Sequence, residues 1–329
     1  MFITKEMLVE KDVSKYGIEW FEEHFPNGGD YQEVLNLAAE HENFYFGEWV
    51  VQRFGPMDTV LEVDELTSDH SVFFAGSIIV KGNINVAGTL FAGKNIIAFG
   101  DIKVNGNIIA YGYIEIDGSI YSGKHIGAAL NIKAGGDIEA ALSIEAHNNI
   151  KAGGSIKADK EDIYAIGNVE AGENIYAGED INTKVNVKAG GSIYAGFNIT
   201  VGHNIKAGGD IEVGDYMYAG WNIKAGGNIK SNKDIKAGYN IKAGEDIITD
   251  WNVIAGRDIE VAMNIISGIG IYAGRYIEAG NNYGIYAGLR LSISDKEDAT
   301  ITAKTEPKNI MLGTFTPNSE KEREDWLCL

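Results

Sequence analysis

Ile205-Lys206-Ala207-Gly208-Gly209-Asp210 and Ile223-Lys224-Ala225-Gly226-Gly227-Asn228 bracket two further units of the same length. These are Ile211-Glu212-Val213-Gly214-Asp215-Tyr216 and Met217-Tyr218-Ala219-Gly220-Trp221-Asn222. The beat of six extends far beyond this stretch. Stepping by six from Ile163 to Ile277 meets an aliphatic or methionine residue 20 times without a slip. An earlier run steps from Val72 to Ile156 in 15 units, and one extra residue near Asp159–Asp162 separates the two runs. A further shift of two near Tyr283 precedes Ile285 and Leu291. Internal repeats of this kind decide the fold before any other signal.

The unit reads Ile-x-Ala-Gly-x-Asn. Alternating strand side chains put positions one and three on one face, so Ile and Ala point inward and the residue between them points out. Glycine is expected to supply backbone freedom at a corner, and Asn or Asp to tolerate left-handed turns and bond locally. Three such strands per coil make an 18-residue triangle. The spacing appears independently in Lys-Ala-Gly-Gly at Lys133, Lys151, Lys188, Lys206 and Lys224, separated by 18, 37, 18 and 18 residues. The predicted fold is mainly β: a triangular single-stranded β-solenoid of about twelve coils, with a small N-terminal helical domain and a C-terminal cap.

The predicted boundaries are an acidic helical domain at 1–56, a lead-in at 57–71, the solenoid at 72–293 and a cap or tail at 294–329. Thr4 and Ser14 are candidate N-caps, Ile18 to Phe25 is helix-like up to Pro26, and Asp30 with Glu33 forms a capping-box pattern. A last helix carries Trp49, Val50, Val51 and Phe54. Ser319 to Asp325 reads as a short charged helix.

Charge is uneven. Of the net −19, residues 1–70 hold 16 acids against 4 bases, a net of −12. That field repels nucleic acid and favours a protein partner with a basic surface. The single cysteine, Cys328, excludes a disulfide framework. With no apolar signal core and no membrane-length apolar run, the expectation is a cytoplasmic protein with no membrane partner.

The hexads resemble the hexapeptide repeat of left-handed β-helix proteins, with Ala in place of the second bulky aliphatic. Ile84-Asn85-Val86-Ala87-Gly88 and Ile102-Lys103-Val104-Asn105-Gly106 also resemble bactofilin-type β-helices, which are right-handed. The first resemblance favours a left-handed coil. The layout of a short helical head followed by Ile-x-Ala-Gly hexads is similar to uncharacterised bacterial and phage proteins. The first resemblance implies an acyltransferase or a three-histidine zinc enzyme. The second implies a polymerising scaffold, and the third a counter-defence inhibitor of a host factor.

Enzyme chemistry is not expected. His125, His147 and His203 occupy the sixth, fourth and fifth hexad positions, so they do not stack into a ligand set. No catalytic residue, metal site or cofactor is assigned. The Asn/Asp corner residues are read as structural turn residues and not calcium ligands. Two outward columns are the candidate binding residues. One holds Lys188, Lys206, Lys224 and Lys242, a track for a polyanion or acidic protein or simply a solvated face. The other holds Val185, His203, Trp221, Tyr239, Arg257 and Arg275, an interface, a nucleotide-stacking platform or a stiffening stack. Two apolar patches require covers. Phe73, Phe91 and Ile109, beside Ile79 and Ile97, are expected beneath the helical domain. Ile248 and Ile266, beside Trp251 and Ile269, await the tail or another subunit in a homo-oligomer. The favoured function is a non-enzymatic binding protein, and the alternative is a self-assembling scaffold.

Overall fold

The computed structural model describes residues 1–290 and 299–318. The chain is mainly β, a three-sheet parallel solenoid of 18-residue turns with about 14 coils and a small helical head. Two sheets have 14 strands and the third has 13. For description, the sheet containing Ile205–Ala207 is sheet 1, that containing Ile211–Val213 is sheet 2, and that containing Met217–Ala219 is sheet 3. Contacts divide the chain into two compact units, residues 1–152 and 153–329.

The first unit begins with the head. Helices α1 (Lys5–Glu10), α2 (Lys15–His24), α3 (Tyr31–Glu40) and α4 (Phe44–Phe54) follow in order. Ser14 Oγ accepts the Gly17 N–H at 3.2 Å and Asp30 Oδ1 accepts the Gln32 N–H at 2.9 Å, so both side chains cap their helices. Thr4 precedes α1 without a side-chain cap bond. Each cap satisfies an amide that the helix itself leaves open.

The segment expected as a lead-in already carries the first rung. Val60–Val63 pairs in sheet 1 with Ser77–Val80, and Leu66–Ser68 pairs in sheet 2 with Ile84–Val86. The head packs on the first two strands of sheet 3, Val72–Phe74 and Leu90–Ala92. Phe73 and Phe91 are fully buried and share one core with Phe46, Val50 and Val51, with Ile109 half-buried beside them. Phe44 meets both rings edge-on, at 6.0 and 6.2 Å. Gln32 also bonds to the solenoid backbone. Its amide donates to Phe73 O at 2.8 Å and accepts from Ala75 N at 3.1 Å.

In the second unit each first-position residue of the main run pairs with its counterpart 18 residues away, as in Ile205↔Ile223 and Ile199↔Met217. All four are fully buried, and side chains of this size contribute about 1.5–3 kcal/mol each on burial. The extra residue predicted near Asp159–Asp162 is accommodated at that corner, since Ile156 pairs with Ile175. The tail's described residues add strands: Thr300–Ala303 and Thr314–Pro317 extend sheet 3, and Ile310–Leu312 extends sheet 2. These strands, with the rung at Val60, raise the coil number above the expected twelve. Ser319–Asp325 and Leu291 lie outside the described residues.

The corners correct the expected role of glycine. Among the described residues the glycines at positive φ are Gly28, Gly55, Gly288 and Gly313, none of them within the run Ile163–Ile277. What excludes a side chain is the neighbouring coil. A Cβ on Gly208 would lie 2.0 Å from Gly190 O, and one on Gly226 would lie 2.0 Å from Gly208 O. Three non-glycine corners, Lys184, Asn232 and Asp250, follow Thr183, Ser231 and Thr249. Each of those hydroxyls donates to the carbonyl 16 residues back and accepts the N–H two residues ahead. The hydroxyl knits these corners, and Ser267 makes the same pair of bonds ahead of Gly268.

Two outcomes follow from this packing. Deleting residues 1–56 exposes Phe73 and Phe91 and is expected to cause aggregation; a soluble, monodisperse truncation on light scattering would refute the packing. Gly208→Ala is expected to lower stability by about 1–3 kcal/mol, because overpacking must move backbone. Gly209→Ala meets first the Ser192 hydroxyl, at 2.5 Å, and is expected to cost much less. Equal denaturation midpoints for the two variants would contradict the steric assignment.

Candidate functional site

Sheet 1 of the second unit carries the lysine column in strict register. Glu170 lies beside Lys188, followed rung by rung by Lys206, Lys224, Lys242, Glu260 and Glu278. The column is not uniform. Lys242 Nζ reaches Glu260 at 2.6 Å, and Tyr276 Oη donates to the same carboxylate at 2.5 Å. The Glu260 hydrogen bond raises the Lys242 ammonium pKa. Bonds from Lys242 and Tyr276 hold the Glu260 carboxyl below its usual value. The same bond pushes the Tyr276 phenol up to about 12. Lys188, Lys206 and Lys224 are exposed and have no carboxylate at ion-pair distance among the described residues. The uncompensated charge is therefore three consecutive lysines.

The corner leading into sheet 1 carries the aromatic column. The His203 and Trp221 rings stack at 4.1 Å and 16°. Trp221 and Tyr239 are tilted at 6.4 Å, and the Arg257 guanidinium sits 4.5 Å from the Tyr239 ring centre. Trp221 and Tyr239 are 44% and 39% exposed, so this stack is surface and not core. Val185 begins the column, and the His203 N–H donates to its carbonyl at 2.8 Å. Arg275 leaves the column. Its guanidinium grips both oxygens of the buried Asp258 carboxylate. The two arginines, equivalent by spacing, thus have different surroundings.

Between the columns runs an amide ladder. Asn204 Nδ2 donates to Asn186 Oδ1 at 2.9 Å, Asn222 to Asn204 at 2.9 Å, and Asn240 to Asn222 at 3.0 Å. Backbone amides join in, with the Asn240 N–H reaching Asn222 Oδ1 at 3.2 Å. The same rule holds at the other corners, where Asp210 Oδ1 accepts from Asn228 N and Asp234 Oδ1 from Asn252 N. The expected local turn bonding is thus a bond to the next coil, and Asn309 is the one asparagine at positive φ among the described residues. The ladder ends at Asn240, whose Oδ1 has no partner, because the next residue in the row is Asp258. A carboxylate has no proton to donate.

Lysines and asparagines together line an open groove of about 470 Å³ between Glu170 and Lys242. A second groove of about 490 Å³ lies beside Lys224 and Lys242, over the bare corners at Gly226 and Gly244. The first groove is thus lined by ammonium groups and side-chain amides, and the second opens over glycine backbone.

The remaining predicted residues lie elsewhere. Ile248 and Ile266 stack on sheet 2, half-buried, and Trp251 is 42% exposed with its ring edge-on to Tyr216 at 6.1 Å. The histidines are dispersed. His24 packs on Trp20 and His41 in the head, and His125 bonds Ser143. Among the described residues no three His, Cys, Asp or Glu side chains converge as a metal site. Spacing alone overlooked the Tyr176–Tyr194 stack on sheet 2, at 4.9 Å and 8°, although both fall at the outward position of hexads 18 residues apart.

Residues 1–54 match the family described as the YdhT N-terminal domain, a match that ends on the last residue of α4. No curated protein and no solved structure matches the chain.

Asn222→Leu removes an acceptor for Asn240 and the donor to Asn204 in the middle of the ladder. It is expected to cost about 1–3 kcal/mol, the penalty for stranding shielded amides. An unchanged denaturation midpoint would show that the ladder contributes nothing.

Proposed function

We propose that the chain is a non-enzymatic binding protein whose sheet 1 face receives an elongated acidic segment of a partner protein. The observation carrying this reading is the run Lys188–Lys206–Lys224, exposed, in register and without a carboxylate at ion-pair distance among the described residues. Neighbouring rungs stand about 4.8 Å apart, where two like charges in water repel by about 1 kcal/mol. Lys133 with Glu115, and Lys242 with Glu260, show the compensated alternative on strands of the same sheet. An acidic side chain laid along the groove would relieve that repulsion, and Arg257 would add a bidentate donor.

The chemistry favours a short acidic segment over a long polyanion. With a net charge of −19, the chain repels a duplex beyond the reach of three lysines. Binding should weaken steeply with salt, because its driving charges are exposed.

The test is fluorescence anisotropy with a labelled oligoglutamate peptide and a labelled single-stranded oligonucleotide. The peptide is expected to bind in low salt, and the triple variant Lys188→Glu, Lys206→Glu, Lys224→Glu to weaken it more than tenfold. Lys230→Glu, on sheet 2, should leave binding unchanged. Loss of affinity in the control equal to that in the triple variant would overturn the reading. So would preference for the oligonucleotide, with sensitivity to Trp221→Ala.

A further inference from the structure

We propose that the head holds a second site, for a basic segment of a partner protein, in the groove between the turn before α2 and the exposed side of α4. This site is independent of the lysine face. The groove has a volume of about 530 Å³. Its lining includes Asp12, Tyr16, Asn43, Tyr45, Glu48 and Trp49, and Val13 and Phe46 contribute apolar surface. Every lining residue falls between Asp12 and Gln52, inside the stretch that matches the YdhT N-terminal domain. The lining therefore belongs to the head, and the hexads contribute only the Tyr111 bond that holds Glu48.

Three observations converge on a cation. First, Tyr16 and Tyr45 are 69% and 85% exposed, whereas Phe21, Tyr31 and Phe46 of the same head are buried. Aromatic rings left in water beside a groove offer their faces to an ammonium or guanidinium. Second, the carboxylates are open. Asp12 has no ion pair among the described residues, and it sits in a turn at φ 59°. Glu48 Oε1 accepts from Tyr111 Oη at 3.1 Å, which fixes the side chain and leaves Oε2 for an incoming donor. Burial raises the Tyr111 phenol pKa, so it stays a donor across the physiological range. Third, residues 1–70 carry a net −12, a field that concentrates cations at the head.

Asn43 adds a polar contact. Its Oδ1 caps α4 by accepting the Phe46 N–H at 3.4 Å, while its Nδ2 is shielded and has no acceptor. A small shift of the rim would let a carbonyl of the bound segment satisfy that donor. The occupant is thus a short peptide with Arg or Lys side chains set between tyrosines and carboxylates, and with a main-chain carbonyl at Asn43.

The full-length chain is titrated with a labelled oligoarginine peptide. Asp12→Asn and Tyr45→Ala should each weaken binding about fivefold or more, with unchanged thermal melting because both side chains are exposed. Glu23→Gln removes the same charge from an exposed site outside the groove and should have little effect, as should the triple lysine variant. If Glu23→Gln weakens binding as much as Asp12→Asn, the attraction is a diffuse field and the site is overturned. If the chain instead self-associates in sedimentation, and both Tyr45→Ala and Lys206→Glu abolish it, the groove takes a second copy of this chain and the assignment to a separate partner fails.

Discussion

A carbonyl oxygen at each glycine corner occupies the space where the next coil would otherwise place a Cβ. That contact is the tightest constraint in the molecule, and most other regularities depend on it. It brings consecutive corners close enough for the Gly208 N–H to reach Ala189 O, and the Trp221 N–H to reach His203 O. It also brings sixth-position side chains within bonding distance of the amides one coil ahead. Asn, Asp and Ser serve there because each offers an oxygen at short reach, and Asn also supplies an amide donor to the coil behind. At the glycine-free corners Lys184, Asn232 and Asp250, the preceding Thr183, Ser231 and Thr249 add a hydroxyl bond to the coil behind.

The same registration explains why the head is part of the structure and not an appendage. In-register stacking forces an outward residue to lie beside its counterpart 18 positions on. Two phenylalanines at that spacing therefore create a continuous apolar stripe, Phe73 over Phe91. A stripe of rings on a sheet face needs a cover, and α3 and α4 supply one. Gly47 lets α4 approach, since a Cβ there would lie 2.7 Å from the Phe73 ring. Gln32 then mimics a strand edge. The head's core and the stripe form one hydrophobic cluster, so neither is complete without the other.

Much of this is legible in the sequence. The aliphatic beat, the three-sided coil, the columns and the covered Phe stripe all follow from counting by six and by 18. The causes were less visible. A glycine-rich corner reads equally as positive φ or as close approach, and only the backbone distinguishes them. Likewise an asparagine that bonds the next coil has the same sequence as one that bonds its own turn. The first rung was hidden because Val60 to Ser68 lacks the glycine and asparagine marks, carrying Glu62, Asp64 and Glu65 instead. Arg257 and Arg275 share a spacing and differ only because Asp258 is within reach of one. Gln32 left no signal at all, since a helix surface glutamine is unremarkable in sequence.

The candidate surfaces inherit their character from this rigidity. A flexible chain with three adjacent lysines would splay them apart and lose little. Here the strands beneath are locked by buried isoleucines and by ladder bonds on both sides, so only the side-chain termini can separate. The lysine backbones are held at rung spacing before any partner arrives, and the main-chain part of the ordering cost usually met at binding is met in folding. The aromatic column is held in the same way, with each ring on an amide that donates to the corner before it. The solenoid is thus best understood as a ruler. It converts a sequence period into fixed distances between surface groups, and recognition then depends on which residues occupy the outward positions.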